Sequence, residues 1–189
     1  MTDGWFRDPD PYTANGFVTE TEACHAFDEV MEKSTAFDAR REVHGHYMTP
    51  RIGIEPRKPR IDRVLWPTAD LLQAGWALGP VGVECKRSDA KLGPPIAQML
   101  DYSHAVWNMG NGHWTALRWI FIWPLDKLSG PLASIMAQNR LGGIQPNFYP
   151  RKWLSGLTFH SGEQIMLRLT TAGFEVPKFN GQGNKTGSR

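Results

Sequence analysis

The sequence predicts a mixed α/β domain, and three observations carry that prediction. Ala23, Ala26, Phe27, Val30 and Met31 recur at helical spacing. Three strand-like runs follow at 41–48, 60–66 and 80–86, the last of them apolar up to a charged end. Pro94-Pro95 then opens a second helical stretch, followed by a segment rich in apolar and aromatic residues. Helices and strands mixed in this order pack as layers around a sheet.

Taken in order, residues 1–18 hold Gly4, Pro9, Pro11 and Gly16 with little periodicity and read as an irregular arm. Thr19 or Thr21 offers an N-cap, with Glu20 and Glu22 in or beside the first turn, so 21–34 is expected to be a helix. Loose alternation gives a strand at 41–48, and the Pro- and Arg/Lys-rich 50–60 gives a basic loop. The second strand runs from Arg60 to Trp66 and stops at Pro67; 68–79 is a short helix or an insertion; 80–86 is the third strand. The helix opened by Pro94-Pro95 is expected to continue to about 107, ahead of Gly110 and Gly112. Residues 114–123 read as a buried strand ended by Pro124, 132–140 as a helix, 142–150 as a loop, and 161–172 as a helix led by Ser161 and Glu163. The polar, Gly-rich stretch 180–189 reads as a flexible tail. The division is therefore an arm, one domain over 19–179 and a tail.

The chain has 189 residues, 41% hydrophobic and 21% charged, which suits one folded soluble domain. A net charge of +2 neither demands nor excludes nucleic acid, because a basic face can exist on a near-neutral protein. Cys24 and Cys85 have no metal-ligand spacing and read as reduced thiols of a cytoplasmic protein. No apolar run approaches the roughly 20 residues that span a bilayer, so no membrane partner is expected.

The chemistry concentrates at Glu84-Cys85-Lys86. Glu84 and Lys86 are two apart on a strand and share a face. Such a pair is either solvated at the strand end or built around a metal and a phosphate, since burying it uncompensated is costly. It is the only Glu-x-Lys in the chain. Asp62 on the preceding strand offers a second carboxylate. Magnesium commonly takes one or two carboxylates with water and phosphate oxygens. Phosphodiester hydrolysis needs such carboxylates and a cation near the attacking water or the scissile phosphate. The Cys85 carbonyl could add an oxygen. Gln98 and Tyr102, four apart, share a face of the following helix.

This arrangement resembles the PD-(D/E)xK nuclease superfamily, the restriction-endonuclease-like fold, over about residues 19–123. Its motif residues here are Ile61-Asp62 and Glu84-Cys85-Lys86, and Gln98-x-x-x-Tyr102 is similar to the helix motif of RecB-like and phage-type exonucleases. The resemblance implies an α-β-β-β-α-β core with C-terminal helical additions. It implies that Asp62, Glu84 and the Cys85 carbonyl hold Mg²⁺ or Mn²⁺, that Lys86 assists the nucleophile, and that Gln98 and Tyr102 support the site or touch the DNA backbone. The helix carboxylate is Glu22, beside the apolar stripe, or Glu29 seven residues on, with Glu20 a further candidate. Ile61 stands where the family pattern has Pro, and the 22-residue step from Asp62 to Glu84 implies an insertion at 68–79. The implied activity is a magnesium-dependent DNA nuclease, foremost a phage-type or recombination and repair exonuclease. The alternatives are a structure-selective endonuclease such as a Holliday junction resolvase, for which a homodimer is usual, a non-catalytic nucleic-acid-binding protein, or an effector acting on RNA.

Arg57, Lys58 and Arg60 lead into the Asp62 strand, and Lys91 lies between the third strand and the second helix. Arg140, Arg151 and Lys152 interleave with Phe148, Tyr149 and Trp153. Cations beside aromatics suit phosphate contacts and base stacking, and equally suit a loop that packs its aromatics on a core. His44 and His46 could share a strand face, without the Cys/His cluster a zinc site needs. His160 reads as a loop residue ahead of a helix.

Overall fold

Helix α1 (Glu20–Lys33) begins where Thr19 caps it: Thr19 Oγ1 accepts from Glu22 N at 3.1 Å, and Glu22 Oε2 accepts from Thr19 N at 3.3 Å. This reciprocal capping box satisfies two backbone donors that the first turn leaves free. The computed structural model describes residues 16–48, 58–148, 154–170 and 172–177. Most of the N-terminal arm, Arg57 in the basic loop, Arg151 and Lys152, and the tail at 180–189 lie outside the described residues.

After α1 come β1 (Phe37–Tyr47), β2 (Arg60–Pro67), α2 (Ala69–Gln73) and β3 (Val81–Cys85). Helix α3 (Gly93–Tyr102), β4 (Ala105–Asn108), β5 (Trp114–Ala116) and β6 (Trp119–Trp123) follow. The chain closes with α4 (Gly130–Gln138), β7 (Leu141–Phe148), β8 (Leu154–Ser161), β9 (Gln164–Thr170) and β10 (Gly173–Glu175). The strands form one ten-stranded sheet in the order β10-β9-β8-β7-β6-β3-β2-β1-β4-β5. The pairs β3·β6 and β6·β7 are parallel and the others antiparallel. The architecture is therefore α/β with a large mixed sheet and, among the described residues, four helices.

The two-residue strand period sorts side chains between two cores. Val81, Val83 and Cys85 of β3 and Phe121 and Trp123 of β6 face α1, together with Phe27, Phe159 and Leu167. Ile120 and Ile122 of β6 face the other way and pack with Met99 and Tyr102 of α3 and Met136 of α4. Glu84, between Val83 and Cys85, consequently points to the α3 side. The alternation breaks on β2. Ile61 packs in the α3-side core, whereas Arg63, two residues on, turns to Asp28 of α1. The ladder to β1 skips Asp62 at that point, opposite Glu42, whose φ is +47°.

Several sequence expectations are corrected. The second helix ends at Tyr102, and 105–108 is strand β4. Residues 114–123 are two strands, β5 and β6, not one. The expected loop at 142–150 forms β7 through Phe148, and the expected helix at 161–172 is the β8–β9 hairpin. Gly162, at φ +57°, makes that turn, and Leu167 and Leu169 are buried on either side of an exposed Arg168, a period of two rather than 3.6. Among the described residues, the C-terminal additions are thus one helix and four strands. His160 lies buried in β8, where Nε2 pairs with the Leu125 carbonyl at 3.0 Å and burial holds the imidazole below its usual pKa.

Candidate active site

The site is assembled at the carboxyl end of β3. In α/β sheets this end of the parallel strands is where ligands bind. Glu84 is 4% exposed. Its Oε1 accepts from Lys86 Nζ at 2.9 Å and from Gln98 Nε2 at 2.8 Å. Its Oε2 is buried and, among the described residues, has no hydrogen-bond partner. Gln98 Nε2 also donates to Tyr102 Oη at 2.6 Å, and Tyr102 Oη donates to the Arg60 carbonyl at 2.6 Å. One face of α3 is thereby tied to Glu84 and to the start of β2. Tyr102 is further held edge-on to Trp107 at 5.2 Å between ring centroids.

Asp62 comes in from the other side of the strand end. Its Oδ2 accepts from Cys85 N at 2.8 Å. Lys86 N donates to the Trp123 carbonyl at 2.7 Å, so consecutive peptide groups of the strand end face β6 and β2 in turn. The N–H and C=O of one strand residue point the same way. The Cys85 carbonyl therefore faces the side where Asp62 sits. Arg63 fixes the backbone beneath: its Nη1 donates to the Asp62 carbonyl at 2.7 Å, while Nε and Nη2 form a two-point pair with Asp28 at 2.7 and 2.8 Å. Burial opposes the Arg63 charge, but the Asp28 carboxylate outweighs it and holds the guanidinium above its ordinary pKa.

The electrostatics follow from this crowding. Burial, and then the Asp62 charge, push Glu84 up to about 7, although Lys86 favours its ionised form. Asp62 is raised above the usual carboxylate range, again chiefly by burial. Lys86 is opposed by burial but held protonated by Glu84, with Glu20 and Asp62 adding to the effect. Tyr102 is pushed up to about 12 by burial and by the Glu84 charge. Two carboxylates with raised proton affinity, one with an orphaned buried oxygen, form a donor set that fits a hard divalent cation.

The helix carboxylate is corrected. Glu22 is occupied by the capping box, its Oε2 accepting from Val18 N at 3.0 Å as well as from Thr19 N. Glu20 is the residue that reaches the site, with Oε1 3.4 Å from Lys86 Nζ. Glu29 lies nine residues beyond Glu20, about 180° around the helix, and faces away from Lys86. Capping residues and site residues alternate within one turn here, and only the docking of α1 decides which glutamate faces the sheet.

The predicted cations are divided. Lys58 is exposed ahead of β2. Arg60 is exposed and pairs with Glu42 at 3.6 Å. Lys91 is exposed in the loop between β3 and α3. That loop borders a cleft of about 680 Å³ that opens beside Lys86, lined by Arg87, Ser88, Phe17, Pro124 and Phe148 among others. Arg140 is not part of this grouping. It precedes Leu141, which pairs with Ile120, so it sits at the amino ends of β6 and β7, away from Lys86. Of the two histidines on β1, His46 stacks edge-on to Trp114 at 4.5 Å and His44 is exposed.

Sequence spacing did not anticipate that Cys24 of α1 meets Cys85. The two sulfurs and an Asp62 oxygen all lie within 4.8 Å of one another. The thiol–thiol hydrogen bond lowers Cys24 and raises Cys85, and burial adds to the latter. The available signal was helical: Cys24 lies four residues after Glu20 and four before Asp28, on the face that meets the sheet. No helix among the described residues is long and apolar enough to cross a membrane. No protein-family model, curated protein or solved structure matches the chain.

Proposed function

We propose that the chain is a magnesium- or manganese-dependent DNA nuclease with a restriction-endonuclease-like core built from α1, β1, β2, β3, α3 and β6. The observation that carries this reading is the orphaned, buried Oε2 of Glu84, in a carboxylate whose other oxygen is held by both Lys86 and Gln98. A buried anionic oxygen without a donor is costly, and a cation is its natural partner.

Asp62, Glu84 and the Cys85 carbonyl would hold the ion. When bound, the ion polarises the phosphodiester and lowers the pKa of water. The residues of this chain do the rest. Lys86 places an ammonium beside the reacting phosphate, where it offsets developing negative charge and orients the attacking water. Glu20 steadies that ammonium from α1. Gln98 and Tyr102 hold the Glu84 carboxylate in one rotamer, so its free oxygen is aimed before substrate arrives. The exposed Lys58 and Lys91, and Arg60 if it exchanges Glu42 for a phosphate, would meet the nucleic-acid backbone, a salt-sensitive contribution to binding.

The test is a cleavage assay on linear, circular and branched DNA and on single-stranded RNA, with Mg²⁺, Mn²⁺ or EDTA. Lys86→Ala and Glu84→Gln are each expected to lower the rate at least about 10²-fold, with folding checked by circular dichroism. Cleavage that persists in EDTA, or unchanged in Lys86→Ala, overturns the mechanism. Cutting of closed circular DNA assigns an endonuclease; digestion of linear DNA only assigns an exonuclease.

A further inference from the structure

We propose that Cys24 Sγ, Cys85 Sγ and the Asp62 carboxylate form a binding site for a thiophilic divalent cation such as zinc, sharing Asp62 with the magnesium ligands. Three elements, α1, β2 and β3, each supply one donor, and the donor atoms lie within 4.8 Å of one another. Around a tetrahedral zinc with bonds of about 2.0–2.3 Å, donors stand roughly 3.4–3.8 Å apart. Each donor pair therefore has to close by at most about 1.4 Å, much of which a rotation of the Cys24 side chain can supply.

The two cysteines are the only ones in the chain, 61 residues apart in sequence. Cys85 reaches Cys24 because the β3 period turns it to the α1 face, while Glu84 turns to α3. Cys85 is fully buried among apolar residues and Cys24 is half-buried. A thiolate in that core is costly alone and is compensated by a bound cation. The half-buried Cys24 leaves an approach and a fourth position for water. Both thiols release their protons to solvent as the two sulfur–metal bonds form. Thiolates select zinc-like ions, whereas magnesium prefers an all-oxygen shell. An ion on the sulfur side draws Asp62 away from Glu84 and disables the magnesium set. Zinc binding does not depend on the nuclease reading; inhibition by zinc does.

Metal-stripped, reduced full-length protein titrated with Co²⁺ tests the site without any reference to cleavage. One equivalent is expected to give a thiolate-to-cobalt charge-transfer band that zinc abolishes. Cys24→Ser and Cys85→Ser should each lose it, and Glu84→Gln should keep it. A folded wild type with no such band, or a band that survives Cys24→Ser, overturns the proposal. In the cleavage assay, Cys24→Ser should keep the magnesium-supported rate and need about tenfold more zinc, or beyond, for half-inhibition. Equal zinc sensitivity of the two proteins overturns the inhibitory role.

Discussion

Glu84 works against the stability of its own fold. Its carboxyl ionises near 4.5 in an unfolded chain and at about 7 in the folded one. Between those values the folded state holds a proton that the unfolded state has lost, so stability falls as pH rises through that window. Above pH 7 the deficit is complete, at about 3 kcal/mol. Glu84→Gln is accordingly expected to melt about 5 °C or more above wild type at pH 8 in EDTA, with the difference gone at pH 4. Excess Mg²⁺ should raise the wild-type melting temperature at pH 8 and leave Glu84→Gln unmoved. Equal melting of the two proteins at pH 8 would sink this account. Cleavage should fall as pH drops below 7, because the protonated carboxyl no longer binds the ion. At this scale the sequence was informative wherever the spacing was local. Glu84 and Lys86 share a face by strand period, and Gln98 and Tyr102 by helical period. Glu20 stood only as a further candidate behind Glu22 and Glu29, and Cys24 was not legible, because both depend on how α1 is rotated against a sheet formed by residues far along the chain.

Arg63 joins two elements, α1 and β2, and so sets the level at which Asp62 leaves its strand. The Asp28–Arg63 pair is buried, with Arg41 Nε adding a third contact to Asp28 at 3.0 Å from the exposed side. Removing one partner of such a pair strands the other charge. Arg63→Met should destabilise by about 3 kcal/mol, measured by urea unfolding, and Asp28→Leu combined with Arg63→Met should recover much of the loss. Recovery that fails to appear would mean the pair adds stability beyond compensating its own burial. Element identity was readable where one period ran undisturbed: α1 from its apolar stripe, β2 up to Pro67, β3 from its apolar run. It failed at 161–172, where Ser161 and Glu163 imitate a helix start while Leu167 and Leu169 follow the strand period. It failed also at 142–148, where Gly142 and Gly143 suggest a loop. A Cβ at Gly142 would stand 2.4 Å from the His160 carbonyl oxygen, so these glycines serve the close approach of β7 to β8 rather than a turn.

At the scale of the whole molecule, residues 19–123 and the C-terminal third share one hydrophobic core. Ile144, Leu157, Phe159, Leu167 and Leu169 share a core with Phe27 of α1 and Trp123 of β6. A chain cut after residue 123 should therefore fail to unfold cooperatively and should expose apolar surface, as read by calorimetry and dye binding. A sharp transition in that fragment would show the third to be dispensable. The resemblance covered only 19–123, and its local motifs gave no information about where the remaining third would dock. The order of the ten strands has one more consequence. Among the described residues, the sheet ends on both sides in a strand of three residues, Trp114–Ala116 and Gly173–Glu175. A terminal strand is a template for pairing with another chain, and so short a template offers only a few backbone hydrogen bonds. If two copies of this chain associate, a continuous intermolecular sheet is therefore poorly supported. Any such pair would have to meet through side chains on a helix-covered layer or another face of the sheet rather than through shared backbone hydrogen bonds.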